Sequence, residues 1–119
     1  MSYVITRGKN SAWNKMVIRQ QASDVIAYGQ IKTSLARAKE LRKHVDNLIT
    51  LAKKNTLASK RKIFSIVLKN KNMSQQDICK KLVDVLAKKY ANRNGGYTRV
   101  LKLSPKLGDN SKLAIIQLV

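Results

Sequence analysis

Acid is scarce in this chain. Only 6 of its 119 residues are Asp or Glu, against 25 Lys and Arg, so the formal net charge is +19. Self-repulsion of that size weakens a compact state unless a polyanion neutralises it. A freestanding enzyme has little reason to carry such an imbalance. A protein held against nucleic acid does, because covering phosphates releases condensed counterions and that release drives binding.

Other absences narrow the classes further. Cys79 is the only cysteine, so no internal disulfide can form, which fits a reducing compartment. With His44 as the only histidine, no recognised zinc site can be built. Phosphate-loop, dinucleotide and metalloprotease fingerprints are missing. No apolar run approaches the ~18 residues of a membrane span. The opening Met1-Ser2-Tyr3-Val4-Ile5-Thr6-Arg7 does not look like a secretory signal, and the lack of a transit segment favours a bacterium over an organelle. Aromatics are only 5% of the chain, so the core must rest on Leu, Ile, Val and Ala.

What is present is an ordinary hydrophobic content of 44%, which argues for a folded basic domain and against a disordered tail. The length suits one domain, with a core that buries roughly two-thirds of the unfolded surface. Residues 1–12 have no helical period and read as an extended basic arm ordered by a partner; residues 13–119 form the domain.

Within the domain, Val17, Ile18, Ala22, Val25 and Ile26 recur at helical spacing over residues 14–28, with Gly29 as the stop. Gln30 to Thr33 is a short candidate strand. Thr33 or Ser34 can cap the next helix, whose apolar stripe is Ala38, Leu41, Val45, Leu48 and Ala52. At 3.6 residues per turn, Lys39, Arg42, Lys43, Lys53 and Lys54 gather on one flank spanning roughly 120°, with Asp46 the one acid among them. A third helix is expected over residues 57–69, with Ile63, Phe64, Val67 and Leu68 behind its basic start. A fourth is expected over about 75–91, capped by Ser74 and carrying Ile78, Leu82, Val85, Leu86 and Tyr90 on one face. The period then changes to two, and residues 97–103 and 112–119 read as a hairpin joined by the loop containing Pro105 and Gly108.

Catalytic readings are thin. Glu40 and His44 stand four apart on a helix, the spacing of a simple surface pair. Cys79 borders an apolar stripe, where a thiol packs. The six carboxylates are scattered. A small hydrolase or transferase acting on RNA would require acid–base groups converging in a cleft.

Binding readings are richer. The arm offers Arg7 and Lys9, followed by Trp13 and Lys15. The indole can stack on an unpaired base or staple the first helix to the core. The turn Arg93-Asn94-Gly95-Gly96-Tyr97-Thr98-Arg99 combines two residues lacking side chains with flanking guanidinium groups and hydroxyls. It can serve as a plain helix-to-strand connector, as a phosphate contact, or as both. Lys60-Arg61-Lys62 forms a solvated basic face. Arg19, Lys32, Lys102 and Lys106 complete the expected RNA-binding set. No basic zipper, zinc finger or recognition helix is present, which disfavours sequence-specific DNA binding.

Two blocks carry a family resemblance: Ile31-Lys32-Thr33-Ser34-Leu35-Ala36-Arg37-Ala38-Lys39-Glu40-Leu41-Arg42, and Asn92-Arg93-Asn94-Gly95-Gly96-Tyr97-Thr98-Arg99-Val100-Leu101-Lys102-Leu103. With their continuations they resemble the bacterial-type large-subunit ribosomal protein seventeen family. The resemblance implies an α+β fold in two layers of order α-β-α-α-α-β-β, with a small three-stranded sheet containing the C-terminal hairpin. It implies a structural role against large-subunit ribosomal RNA and neighbouring ribosomal proteins in the cytoplasm. It implies no catalysis, cofactor, metal, membrane or small-molecule substrate. The alternative is a general nucleic-acid-binding protein working off the ribosome. Two departures stand out. The family's usual Ser-Ser-His-Arg is here Ser11-Ala12-Trp13-Asn14, and Lys43 replaces a frequent Pro, which should leave the second helix straighter and more basic.

Overall fold

The computed structural model describes residues 11–103 and 112–119. The expected arm, the loop after the second strand, and with them Arg7, Lys9 and Lys106, lie outside the described residues. Helix α1 spans Ser11–Tyr28 and buries Ala22, Ser23, Val25, Ile26 and Ala27. Ser11 and Ala12, counted with the arm in the sequence, are thus helical. The helix stops at Gly29, whose φ is +86° and whose amide donates to Val25 O at 2.8 Å. This is the left-handed stop that a glycine supplies without Cβ strain.

Strand β1 (Gln30–Ser34) follows, and Ser34 caps α2 (Leu35–Lys54) by accepting from the Arg37 amide. All five residues of the expected stripe on α2 are buried, joined by Ile49. Helix α2 runs uninterrupted through Lys43 for 20 residues. Asn55 closes it in the left-handed conformation. Thr56 and Ser59 then form a reciprocal capping box for α3 (Leu57–Ile66).

Helix α3 ends three residues short of its expected limit. Its last carbonyls find partners elsewhere in the fold: Arg19 donates to Ser65 O and Ile66 O, each at 2.9 Å, and Gln75 donates to Phe64 O and Val67 O. Leu68 N donates to the buried Ser23 hydroxyl. These contacts take the chain out of the helix once Val67 is extended. Phe64, expected behind the helix, is 45% exposed.

Helix α4 starts at Gln75, with Ser74 accepting from the Asp77 amide, and runs to Lys81. It continues without a break through a π-helical turn (Leu82–Leu86) into a last turn (Ala87–Lys89). Ile78, Leu82, Leu86 and Tyr90 are buried, a spacing of four that drifts by about 40° per step on a regular helix. The wider turn, in which Ala87 N donates to Leu82 O, takes up that drift. It also turns Val85, expected on the apolar face, out to 53% exposure.

Strands β2 (Thr98–Lys102) and β3 (Leu113–Leu118) complete an antiparallel sheet of order β1-β3-β2. Ile31, Ile116 and Val100 lie in one row across it, as do Thr33, Ala114 and Lys102. Ile116 and Ala114 are fully buried, and α2 packs on all three strands. Alternation puts Lys32 and Arg99 on the opposite face. The result is the expected two-layer α+β order.

Candidate nucleic-acid interface

The expected basic flank of α2 and the glycine turn form one surface. Asp46 and Lys53, two helical turns apart on that flank, grip the turn at both ends. Lys53 Nζ donates to Arg93 O at 2.5 Å and to the Tyr97 hydroxyl at 2.9 Å. The Tyr97 hydroxyl donates to Arg93 O at 3.0 Å, and Arg93 Nε to Gly96 O at 3.2 Å. At the far end, the Thr98 hydroxyl donates to Asp46 Oδ1 at 3.3 Å. Burial raises the Asp46 carboxyl above its ordinary pKa, and the Thr98 hydrogen bond, the Arg42 charge and the Tyr97 backbone amide oppose that without cancelling it.

Between these anchors, Gly95 and Gly96 have φ of +132° and +63°. Beyond the adjoining residues, no described heavy atom lies within 4 Å of where a Cβ on either would stand. The turn therefore needs glycine for its backbone angles and leaves space in front of it. Asn94 is exposed in the turn and Arg99 just after it, on the sheet face away from α2, while Lys39, Arg42 and Lys43 are exposed along α2. The surface combines cationic groups with accessible backbone, the chemistry that phosphate oxygens meet in nucleic-acid complexes.

Two expected contributors face the other way. The Tyr97 and Thr98 side chains are buried, at 3% and 4% exposure, and their hydroxyls are committed to Arg93 and Asp46. Tyr97 packs on Tyr90 with ring centroids 5.2 Å apart. In this structure both hydroxyls hold the turn. The Arg19 guanidinium likewise fastens the end of α3 to α1.

The remaining expected residues are spread. Lys32 on β1 and Lys102 on β2 are exposed. The basic run of α3 is divided: Lys62 borders a hollow shared with Lys54 of α2, while Lys60 borders a separate groove with Phe64, Cys79 and Val83. Trp13 and Lys15, on the first turns of α1, are exposed. Trp13 is 43% exposed, with the Arg37 guanidinium 6.0 Å from its ring. Arg37 and Lys53 were missed as candidates. Lys53 stood on the basic flank, yet its partners lie 40 and 44 residues away.

Nothing among the described residues resembles a catalytic centre. Glu40 and His44 are both exposed on α2, and among the described residues no three His, Cys, Asp or Glu come together as a metal site. Burial pushes the Cys79 thiol above its ordinary pKa, which makes it less reactive. No described helix is long and apolar enough to cross a membrane.

Residues 17–119 match the family model of Ribosomal protein L17. The chain belongs to the ribosomal protein L17 family. The match takes in α2 and the glycine turn and begins after Trp13. Large ribosomal subunit protein bL17 of Ureaplasma parvum serovar 3 is 56% identical over 119 residues, all of both chains. The protein of the same name from Mycoplasmopsis pulmonis is 55% identical over 111 residues, 93% of this chain and 92% of the relative. That of Mesoplasma florum is 43% identical over 119 residues, again all of both. Membership places the chain among ribosomal proteins of bacterial type and not among enzymes.

Proposed function

We propose that this protein is a structural constituent of the large ribosomal subunit, working in the cytoplasm as part of the ribosome. It binds large-subunit ribosomal RNA and neighbouring ribosomal proteins. The observation that carries the RNA contact is the mounting of the glycine turn on the basic flank of α2. Lys39, Arg42 and Lys43 neutralise phosphates that pack closely against one another, and Arg93 and Arg99 supply planar two-pronged donors. The turn between them lets a phosphate approach the backbone. Recognition is of backbone path and groove shape more than base identity, as is usual for structured RNA. Trp13, braced by Arg37, provides a second contact by stacking on an unpaired base, in place of the family's histidine.

The test has two parts. Native protein should sediment with large subunits; a free or chromosome-associated pool would favour the off-ribosome reading. Binding to a large-subunit ribosomal RNA transcript should weaken with salt by a log–log slope of about −0.7 to −0.9 per neutralised phosphate. A flat response would remove the electrostatic account.

A further inference from the structure

We propose that Lys53 and Tyr97 are positioning residues, a latch that sets the glycine turn in its binding shape before RNA arrives and does so without touching RNA. This rests on the reading of the turn as an RNA contact.

The need for a latch follows from the two glycines. Consecutive glycines lose more backbone freedom on being fixed than any other pair. A turn ordered only by its ligand would subtract that loss from affinity, and prior ordering removes the penalty. The structure ties residue 93, before the glycines, to residue 97, after them. Arg93 O accepts from both Lys53 Nζ and the Tyr97 hydroxyl, and the hydroxyl itself accepts from Lys53. Three groups thus close a triangle across the turn. The same ammonium lies 5.1 Å from the Tyr97 ring centroid. That ring is held in turn by Tyr90, whose hydroxyl donates to Val119 O at 2.7 Å. Lys53 is half-buried and spends its donors inward, unlike its exposed neighbours on the flank. Arg93 closes the turn with Nε alone, so the terminal nitrogens that recognise phosphate are not used in holding it.

Tyr97→Phe is the decisive variant, because it removes one buried hydroxyl and no charge. In the full chain its melting temperature should fall by several degrees, so affinities are compared well below the melt, where both proteins are folded. Affinity for the large-subunit ribosomal RNA transcript should fall about 5- to 150-fold, the worth of the two hydrogen bonds the hydroxyl makes, with the salt slope unchanged. Amide exchange at Gly95 and Gly96 should quicken in the free protein. Lys53→Met should weaken binding further, and Lys53→Arg, which keeps donors, should recover part of the loss. Arg99→Ala separates the two ideas. If it binds like wild type, the turn is not an RNA contact and the latch falls with that reading. If it weakens binding while Tyr97→Phe keeps both wild-type affinity and wild-type exchange, the latch alone is overturned. A salt slope that shrinks in Tyr97→Phe would also overturn it, since a positioning residue surrenders no phosphate.

Discussion

The Thr98 hydroxyl donates to the Asp46 carboxylate at 3.3 Å, joining the middle of α2 to the first residue of β2. It fastens the end of the glycine turn opposite Lys53, and it places the only acid of the basic flank where its charge is partly desolvated.

That placement has a pH signature. Burial raises the Asp46 pKa in the folded protein, so between its ordinary value and the raised one the native state holds more proton than the unfolded state. Its contribution to stability is therefore present at low pH and declines as pH rises through that window. Asp46→Asn keeps an acceptor for Thr98 and removes the charge. Its melting temperature, relative to wild type, should gain as pH rises through the window and then level off. A relative loss over that range would show that the Thr98 hydrogen bond and the Arg42 charge together outweigh burial.

Leu41 and Leu48 are buried at the centre of the helical layer. Leu41→Ala or Leu48→Ala should each cost about 2–5 kcal/mol, as lost transfer energy plus a cavity. Lys39→Ala, on an exposed position of the same helix, should lower RNA affinity and leave the melt nearly unchanged. Denaturation and binding on one set of proteins separate the faces; a Lys39→Ala that melts early and binds normally would reverse the assignment.

Arg19 makes the opposite prediction. Its guanidinium satisfies two carbonyls at the end of α3, so Arg19→Ala should lower stability by about 1–3 kcal/mol. Affinity measured well below the melting temperature should stay at wild type. A folded Arg19→Ala that binds weakly would return Arg19 to the RNA-contacting set.

The two glycines should respond differently to substitution. Gly96, at φ +63°, lies in the left-handed range that asparagine tolerates, whereas Gly95, at φ +132°, lies beyond it. Gly96→Asn should fold with little loss. Gly95→Asn should cost about 1–3 kcal/mol of strain and disturb the turn. Equal melting temperatures for the two would mean that the turn relaxes freely.

The parts of the fold legible in the sequence were those set by local pattern. The α2 stripe is a burial period, and the stop at Gly29 is a backbone requirement visible in one residue. What stayed hidden depended on distant partners. The end of α3 is decided by Arg19 and Gln75, and the exposure of Val85 by a π turn that no short window announces. At the site, the basic flank was legible from helical geometry and the glycine turn from composition. Their juxtaposition was not, because Lys53 and Asp46 choose partners across 40 or more residues. For the same reason Tyr97 and Thr98 read as outward-facing until the fold turned them in.

The sheet order β1-β3-β2 has a consequence for how the chain acquires its shape. The two strands made first are never neighbours; each pairs only with the third, and Gln30 must wait for Gln117. The helical layer is built from segments adjacent in sequence and can gather early, since local contacts form fastest. A nascent chain halted before Leu113 has two strands and no sheet. The arrival of β3 gives both edges a ladder and brings Val119 to Tyr90 and Tyr97. The turn proposed to meet RNA therefore gains its last support only when that strand has been made.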